Sequence, residues 1–202
     1  MRKFTGSELL VATHNAGKLE EFHQILAPFG ITVTSAAEHA LPEPEETGTT
    51  FVENARIKAY AAAEATGLPA LADDSGLEVM ALDGAPGVYT ADWAETPQGR
   101  DFVMAMEKTH AALLAKAAPE PWQARFCCTL VLAWPDGQDV VFEGFANGHL
   151  VWPRRGQDGH GYDPMFQPEG ENRTFAEMSH AEKNARSHRG AAIKALIEGC
   201  FS

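Results

Sequence analysis

The chain has 202 residues, of which 45% are hydrophobic and 22% are charged, and its formal net charge is -12. This composition predicts one globular domain over residues 1–202, and it argues against a nucleic-acid polymer as a partner, because duplex DNA is bound through a broad basic surface. No apolar run approaches the ~18 residues of a membrane span, so we expect a cytoplasmic protein without a membrane partner.

The first half of the chain alternates strand and helix patterns. Apolar runs and helical spacing predict strand, helix, strand, helix and strand at residues 8–13, 18–26, 31–34, 50–67 and 71–72. Thr50 and Glu53 form a capping box at the start of the second helix, and Gly67 ends it. This alternation is typical of crossover units and predicts an α/β fold.

The second half of the chain is less regular. Its patterns predict a helix, a hairpin and a final helical segment at residues 96–118, 125–146 and 179–199. The first of these helices is expected to begin at Thr96, with Pro97 in its first turn. Residues 152–170 are rich in Gly, Pro, Asp and Arg, a composition that indicates an irregular loop of the kind that often carries function.

A polar turn between the first strand and the first helix is a candidate phosphate site. It reads Thr13-His14-Asn15-Ala16-Gly17-Lys18. Backbone N–H groups at a helix N-terminus attract anions, and Lys18 adds a positive charge. The turn lacks the Walker pattern, and on its own it also fits an ordinary capped helix start.

Two acidic segments are candidates for binding a hard cation. Asp73-Asp74-Ser75 is expected to follow a buried strand, and adjacent strand residues point to opposite faces, so one carboxylate is expected to act while the other supports the loop. Glu45 and Glu46 lie in an acidic loop. Because nucleotide-bound Mg²⁺ takes only one or two protein carboxylates, one of these glutamates together with Asp74 would suffice.

The last candidates lie near the C-terminus and suit recognition of a base and of phosphate oxygens. They are His160, Gly161, Tyr162, Asp163, Lys183, His188 and Arg189. An aromatic or imidazole ring stacks on a base, and an arginine donates to carbonyl or phosphate oxygens. Each ring here also fits plain core packing.

These segments, in this order, resemble the inosine and xanthosine triphosphate pyrophosphatase family over nearly the whole chain. The matching motifs are Thr13 to Lys18, Glu45-Glu46-Thr47-Gly48, Phe51 to Ala55, Ala72-Asp73-Asp74-Ser75-Gly76-Leu77, Gly84 to Tyr89, Gly161-Tyr162-Asp163-Pro164 and Ser187-His188-Arg189-Gly190. The resemblance implies an α/β fold with a long, twisted mixed sheet flanked by helices, two lobes with a central cleft, and a homodimer. It also implies hydrolysis of ITP, dITP or XTP to the monophosphate and pyrophosphate.

The resemblance further implies the roles of individual residues. Residues Thr13 to Lys18 would hold the phosphates, and Glu45 or Glu46 together with Asp74 would hold Mg²⁺. Asp74 would also be the general base. Ser75, the loop from His160 to Asp163, Lys183, His188 and Arg189 would complete the substrate pocket.

The sequence departs from the family pattern at two positions. His160 replaces the usual Phe, and Asp92 stands where an Arg is common. A ring that stacks more weakly and an added negative charge leave open a nucleotide-binding regulator with little turnover. A pyrophosphatase for modified pyrimidine nucleotides is a third alternative, and the Ser187-His188-Arg189 segment argues against it. A protein-interaction module fits less well, because it would not need these Lys, Asp and His residues.

Overall fold

The computed structural model describes residues 2–201. In this part of the chain the strands are β1 (Glu8–Val11), β2 (Thr32–Ser35), β3 (Ala70–Val79), β4 (Glu95–Thr96), β5 (Gly99–Arg100), β6 (Trp122–Ala133), β7 (Asp139–Leu150) and β8 (Phe166–Pro168). The α-helices are α1 (Ala16–Leu26), α2 (Phe51–Thr66), α3 (Phe102–Ala115), α4 (His180–Asn184) and α5 (His188–Leu196), and a π-helical turn follows at Ile197–Phe201.

Six of the strands form a mixed sheet in the order β2-β1-β3-β6-β7-β8. Strand β1 runs parallel to both β2 and β3, whereas β7 and β8 are antiparallel. The predicted α/β fold, a mixed sheet with flanking helices, is therefore confirmed.

Helices α1 and α2 pack on opposite faces of the parallel strands. The chain moves from β1 outward to β2 and then back past β1 to β3, and right-handed crossovers place the two connecting helices on opposite sides. Alanines of α2 pack against Ala70 and Ala72 of β3. Because strand side chains alternate between faces, Asp74 shares the α2 face with these alanines, and Asp73 points to the other face.

The described chain divides into two compact units. The first contains residues 2–74, 129–143 and 192–201, and the second contains residues 75–128 and 144–191. The first unit has small alanine-rich cores, such as the one formed by Ala55, Ala59, Ala72, Val131 and Ala133. The second has a larger core with several aromatic rings, including Trp122, Phe126, Tyr162, Phe166 and Phe175. The expected central cleft stays a prediction.

Two boundary predictions were wrong in the second half of the chain. Thr96 and Pro97 belong to the short β4–β5 hairpin, and α3 begins six residues later than predicted, at Phe102, where Asp101 caps it by accepting from the N–H of Met104 at 3.0 Å. The final helical segment is broken between α4 and α5. The Ser187 hydroxyl accepts from the N–H of Gly190 at 3.0 Å and so starts a new helix.

A third correction concerns the strand that carries the acidic pair. The sequence predicts that this strand ends before Asp73, but β3 continues through Asp73, Asp74 and Ser75 to Val79. Leu77 and Val79 are fully buried, so the apolar alternation resumes beyond the acidic residues and keeps the strand extended. Among residues 2–201, no helix is long and apolar enough to cross a membrane.

Candidate active site

The phosphate-site candidate lies where β1 ends beside β3. Val11 pairs with Leu71, so the loop that follows β1 starts next to Asp73. Ligands of open α/β sheets bind at the carboxyl ends of strands where the strand order reverses, and β1 and β3 form such a point. The loop from Thr13 to Lys18 therefore starts at the position in the sheet that is best suited to a ligand.

This loop has an open helix N-terminus. Thr13 is buried and its hydroxyl accepts from the N–H of Asn15 at 3.1 Å, and Asn15 caps α1 by accepting from the N–H of Lys18 at 3.1 Å. His14, Asn15, Ala16 and Gly17 are exposed. A capped and exposed N-terminus of this kind can bind an anionic group.

Lys18 reaches from α1 to the acidic pair. Its ammonium group donates to Oδ2 of Asp73 at 2.6 Å, and the Asp73 side chain is only 10% exposed. Asp73 thus contacts the lysine that the sequence analysis proposed for phosphate binding.

Lys58 of α2 was missed by the sequence analysis and occupies the centre of the acidic cluster. Its Nζ lies 2.8 Å from Oε1 of Glu46 and 3.9 Å from Oδ1 of Asp74. Burial disfavours the ammonium form, but Asp74, Asp73 and Glu46 together raise the pKa of Lys58 above its ordinary value. The sequence feature that could have indicated Lys58 is the i, i+4 spacing of Asn54 and Lys58, which places both side chains on one face of α2.

Asp74 has the perturbed titration that is typical of functional carboxyl groups. Burial is the main reason that its pKa is raised to about 6, and repulsion from Glu46 and Asp73 adds to this effect. The positive charge of Lys58 and a hydrogen bond from Asn54 act in the opposite direction. A carboxyl group that titrates near neutrality can exchange protons at physiological pH.

Asn54 also fixes the acidic loop that precedes α2. Its Oδ1 accepts from the N–H of Gly48 at 2.8 Å. A Cβ at position 48 would lie 2.6 Å from Asn54 Oδ1 and from Glu53 Cβ, so only glycine allows this close approach. Glu45 and Glu46 both lie in this loop and are exposed, and Glu46 contacts Lys58.

The donor set around Lys58 suits a hard cation that also has a phosphate ligand. In the part of the chain described, no group of three or more His, Cys, Asp or Glu residues could hold a metal ion by itself. Glu46 and Asp74 nevertheless converge on one positively charged group, and Mg²⁺ on a nucleotide needs only one or two carboxylates. These two residues therefore fit Mg²⁺ that arrives bound to phosphate.

In the second unit, Asp163 organises the loop from His160. Its Oδ2 accepts from the N–H of His160 at 2.7 Å and from the ammonium group of Lys183. The loop turns at Gly159, which has φ +82°, and a Cβ there would lie 2.4 Å from Asp163 Oδ2. Asp163 is itself buried, whereas the His160 side chain is exposed.

The remaining candidates of the second unit differ in exposure. Tyr162 is buried, and its hydroxyl donates to the carbonyl oxygen of Thr90 at 2.9 Å, so its ring supports the loop from the core. The His188 ring stacks on Phe126 with 5.1 Å between centroids. Ser75 and Arg189 are half-buried, and Asp92 is exposed.

The structure therefore brings some of the candidates together in two groups, one in each unit. The first group comprises Thr13 to Lys18, Glu46, Asp73 and Asp74, with Lys58 added. The second comprises His160, Asp163 and Lys183. The fold and the first group define an α/β protein with a lysine–carboxylate cluster at the point where the order of its parallel strands reverses.

Comparison with known proteins identifies the family. The model of the Ham1 family matches residues 9–199. The chain is 67% identical over 200 residues to a dITP/XTP pyrophosphatase of Ruegeria pomeroyi, covering 99% of this chain and 98% of that protein. A solved structure of a HAM1 protein from Coxiella burnetii is 39% identical with a TM-score of 0.89, covering 95% of this chain and 96% of that chain.

A second solved structure agrees. The nucleoside-triphosphatase, dITP/XTP pyrophosphatase, from Mycobacterium abscessus is 39% identical with a TM-score of 0.80, covering 94% of this chain and 97% of that chain. The chain belongs to the Ham1 family.

Proposed function

We propose that the protein is a Mg²⁺-dependent pyrophosphatase that hydrolyses ITP, dITP and XTP to the monophosphate and pyrophosphate. The proposal rests above all on Asp74, whose pKa is raised to about 6 beside Glu46 and Lys58. It is supported by relatives that are named dITP/XTP pyrophosphatases and match almost the whole chain.

In this proposal the first unit binds the triphosphate and carries the chemistry. The exposed N-terminus of α1 and the ammonium group of Lys18 bind phosphate oxygens. Glu46 and Asp74 hold Mg²⁺, with Glu46 preferred to Glu45 because it contacts Lys58. Bound Mg²⁺ would neutralise phosphate charge and activate a water molecule.

Asp74 is the proposed general base. It takes a proton from the water that attacks the α-phosphorus, and pyrophosphate leaves. Burial raises the pKa of Asp74 to about 6 in the metal-free protein, and bound Mg²⁺ would lower it and keep the carboxylate ionised, which is the form that accepts a proton. Lys58 keeps a positive charge beside the two carboxylates as negative charge grows on the phosphates.

The second unit supplies the groups for base recognition. His160 is exposed and offers an imidazole face for stacking on the base. His188 and Arg189 are proposed donors to the 6-oxo group of hypoxanthine or xanthine, an acceptor where adenine presents a donor. A site whose buried donors are left unpaired by the wrong base discriminates strongly against it.

The test is incubation of the protein with ITP, dITP, XTP and ATP in the presence of Mg²⁺, with separate assays for pyrophosphate and orthophosphate. Pyrophosphate from the three oxo-purine nucleotides, abolished by EDTA, is the expected result. Release of orthophosphate alone, or no release at all, contradicts the proposal. Binding of ITP without turnover would favour the nucleotide-binding regulator, and turnover of modified pyrimidine nucleotides alone would favour the third alternative.

The homodimer and the cytoplasmic location also stay proposals. Analytical ultracentrifugation of the purified protein is expected to give twice the chain mass of 21.8 kDa. Fractionation of the source cells is expected to recover the protein with cytoplasmic markers.

A further inference from the structure

Four charged side chains of alternating sign form a continuous cluster in the second unit. Arg186 Nη2 lies 2.8 Å from Oε1 of Glu171. Arg173 Nη2 lies 3.6 Å from Oε2 of Glu171 and 3.1 Å from Oε1 of Glu182. These four residues, the four-charge cluster, are not among the groups that the proposed chemistry uses.

Glu171 is the best-fixed member of the four-charge cluster. Its side chain is 16% exposed, whereas the other three are 39% to 45% exposed. Its N–H donates to the carbonyl oxygen of Pro168 at 3.2 Å, and its own carbonyl oxygen accepts from Gln167 Nε2 at 2.8 Å. These two hydrogen bonds therefore fix the backbone of Glu171 in the turn after β8.

The four-charge cluster includes Glu182, which belongs to the short helix α4. Helix α4 has only five residues, fewer than an isolated helix needs to be stable in water. Its capping box pairs Ser179 with Glu182, and the backbone N–H of Ser179, followed by Arg173, lowers the pKa of Glu182 to about 2. The position of α4 thus depends on its cap and on contacts with the rest of the chain.

The four-charge cluster contacts the α4 segment on both sides of Lys183. Glu182 immediately precedes Lys183, and Arg186 follows it three residues later. Two residues further on, α5 begins with His188 and Arg189. Lys183 itself reaches Asp163, so a shift of α4 would move its ammonium group relative to that loop.

We propose that Glu171 is a positioning residue, which through Arg186 and Arg173 sets the place of the segment from Lys183 to Arg189 and thereby substrate affinity and base selectivity. This inference rests on the proposed function, because it assigns Lys183, His188 and Arg189 to the substrate. Displacement of binding groups by about 1 Å can reduce a rate by ~10²-fold.

The first variant is Glu171→Gln, which keeps the size of the side chain and removes its charge. We expect kcat/KM for ITP to fall about tenfold, mainly through a higher KM, because binding groups are displaced while Asp74 is untouched. The ratio of kcat/KM for ITP to that for ATP is expected to fall by a similar factor. The matched control is Glu169→Gln, an exposed residue of the same turn, which is expected to leave both quantities unchanged.

Arg186 provides a second test on a surface residue whose replacement should leave folding intact. Arg186→Met is expected to show the same loss of affinity and of selectivity. Arg186→Lys keeps the positive charge and is expected to retain most of the affinity and most of the selectivity of the unchanged protein. Because the two groups act through one contact, the double variant of Glu171→Gln and Arg186→Met is expected to be little worse than either single variant.

The outcomes separate this inference from the proposed function. If the unchanged protein hydrolyses ITP, but Glu171→Gln and Arg186→Met match Glu169→Gln in KM and in the ITP to ATP ratio, the positioning role is wrong. A variant that loses thermal stability with no change in these two quantities likewise contradicts it, since its role would then be structural only. An unchanged protein that releases no pyrophosphate overturns the proposed function itself.

Discussion

Lys58 Nζ lies 2.8 Å from Oε1 of Glu46, although one residue belongs to helix α2 and the other to the loop before it. The same nitrogen lies 3.9 Å from Oδ1 of Asp74. A single ammonium group therefore reduces the repulsion between the two carboxylates that we assign to Mg²⁺. Without it, Asp74 would be harder to ionise.

We accordingly expect Lys58→Met to lower kcat for ITP by about 10²-fold, the loss that is typical when one preorganised charged donor is removed. Steady-state kinetics at saturating Mg²⁺ measures this. Arg56→Met is the matched control, because it removes a cation from the same helix that pairs with Asp139 and not with the acidic cluster. Equal kcat values in the two variants would remove Lys58 from the chemistry.

Substitutions of the two adjacent aspartates are expected to change different kinetic constants. Asp74→Asn should lower kcat by about 10²–10⁴-fold, because it removes the general base, and should retain ITP binding. Asp73→Asn should mainly raise KM, because it releases Lys18, to which Asp73 is bonded at 2.6 Å. Steady-state kinetics together with equilibrium binding of ITP distinguish the two. An Asp74→Asn variant with normal turnover would contradict the proposed base.

Gly48→Ala tests the contact between the acidic loop and α2. The added methyl group would lie 2.6 Å from Asn54 Oδ1, so the loop that carries Glu46 must move. Disturbing the support of metal ligands typically weakens metal affinity by 10–100-fold, so we expect the Mg²⁺ concentration for half-maximal activity to rise about tenfold. The control is Thr47→Ala, at an exposed neighbouring residue, which should leave the Mg²⁺ dependence unchanged. If Gly48→Ala also leaves the Mg²⁺ concentration for half-maximal activity unchanged, the loop does not hold the metal.

A fourth prediction concerns stability and its dependence on pH. Arg56 Nε donates to Asp139 Oδ2 at 2.8 Å, and the Tyr60 hydroxyl donates to the same oxygen at 2.9 Å. The hydrogen bond from Arg56 is the main reason that the pKa of Asp139 is lowered. Because Arg56 is nearly half exposed, we expect Asp139→Asn to lower the free energy of unfolding by only about 1 kcal/mol at pH 7.

The sign of the pH effect follows from the lowered pKa. The stabilisation is fully present above the pKa of an unfolded aspartate, about 3.9, and is lost as the pH falls through the lower folded value. Urea unfolding at pH 7 and at about pH 3 should therefore show a difference between the unchanged protein and Asp139→Asn that is smaller at the lower pH. Asp92→Asn, at an exposed site, should show no difference at either pH, and a constant difference for Asp139→Asn would contradict the ion-pair explanation.

Much of the fold was predictable from local signals. The Thr50–Glu53 capping box and Gly67 defined helix α2 because both its ends are fixed by nearby residues. The start of α3 was misplaced because Pro97 fits a hairpin as well as a first helical turn, and only the pairing of Glu95 with Arg100 decides between them. The error came from a turn signal that fits two local structures.

The candidate site shows a limit of local signals. Alternation along a strand correctly separated Asp73 from Asp74, because that rule needs one strand only. Lys58 was overlooked because its role comes from contacts with Glu46 and Asp74, which are twelve and sixteen residues away. The sequence left open whether the Tyr162 ring stacks on a base or packs in the core, and the structure buries it in the core. Burial of this kind depends on the tertiary fold.

The pairing of β1 with β3 specifies more than the hydrogen bonds of the sheet. Val11 lies opposite Leu71, and this register puts Asp73 towards Lys18 and Asp74 towards Lys58. A slip of β3 by one residue would exchange the faces of every side chain along it. With one residue inserted before Asp73, Asp73 would take the place of Asp74 beside Lys58, and Asp74 would move to the position of Ser75, on the face of Lys18 but one pair of residues further along the strand. A single insertion would therefore reverse the faces on which the two carboxylates lie while leaving the composition of the site unchanged.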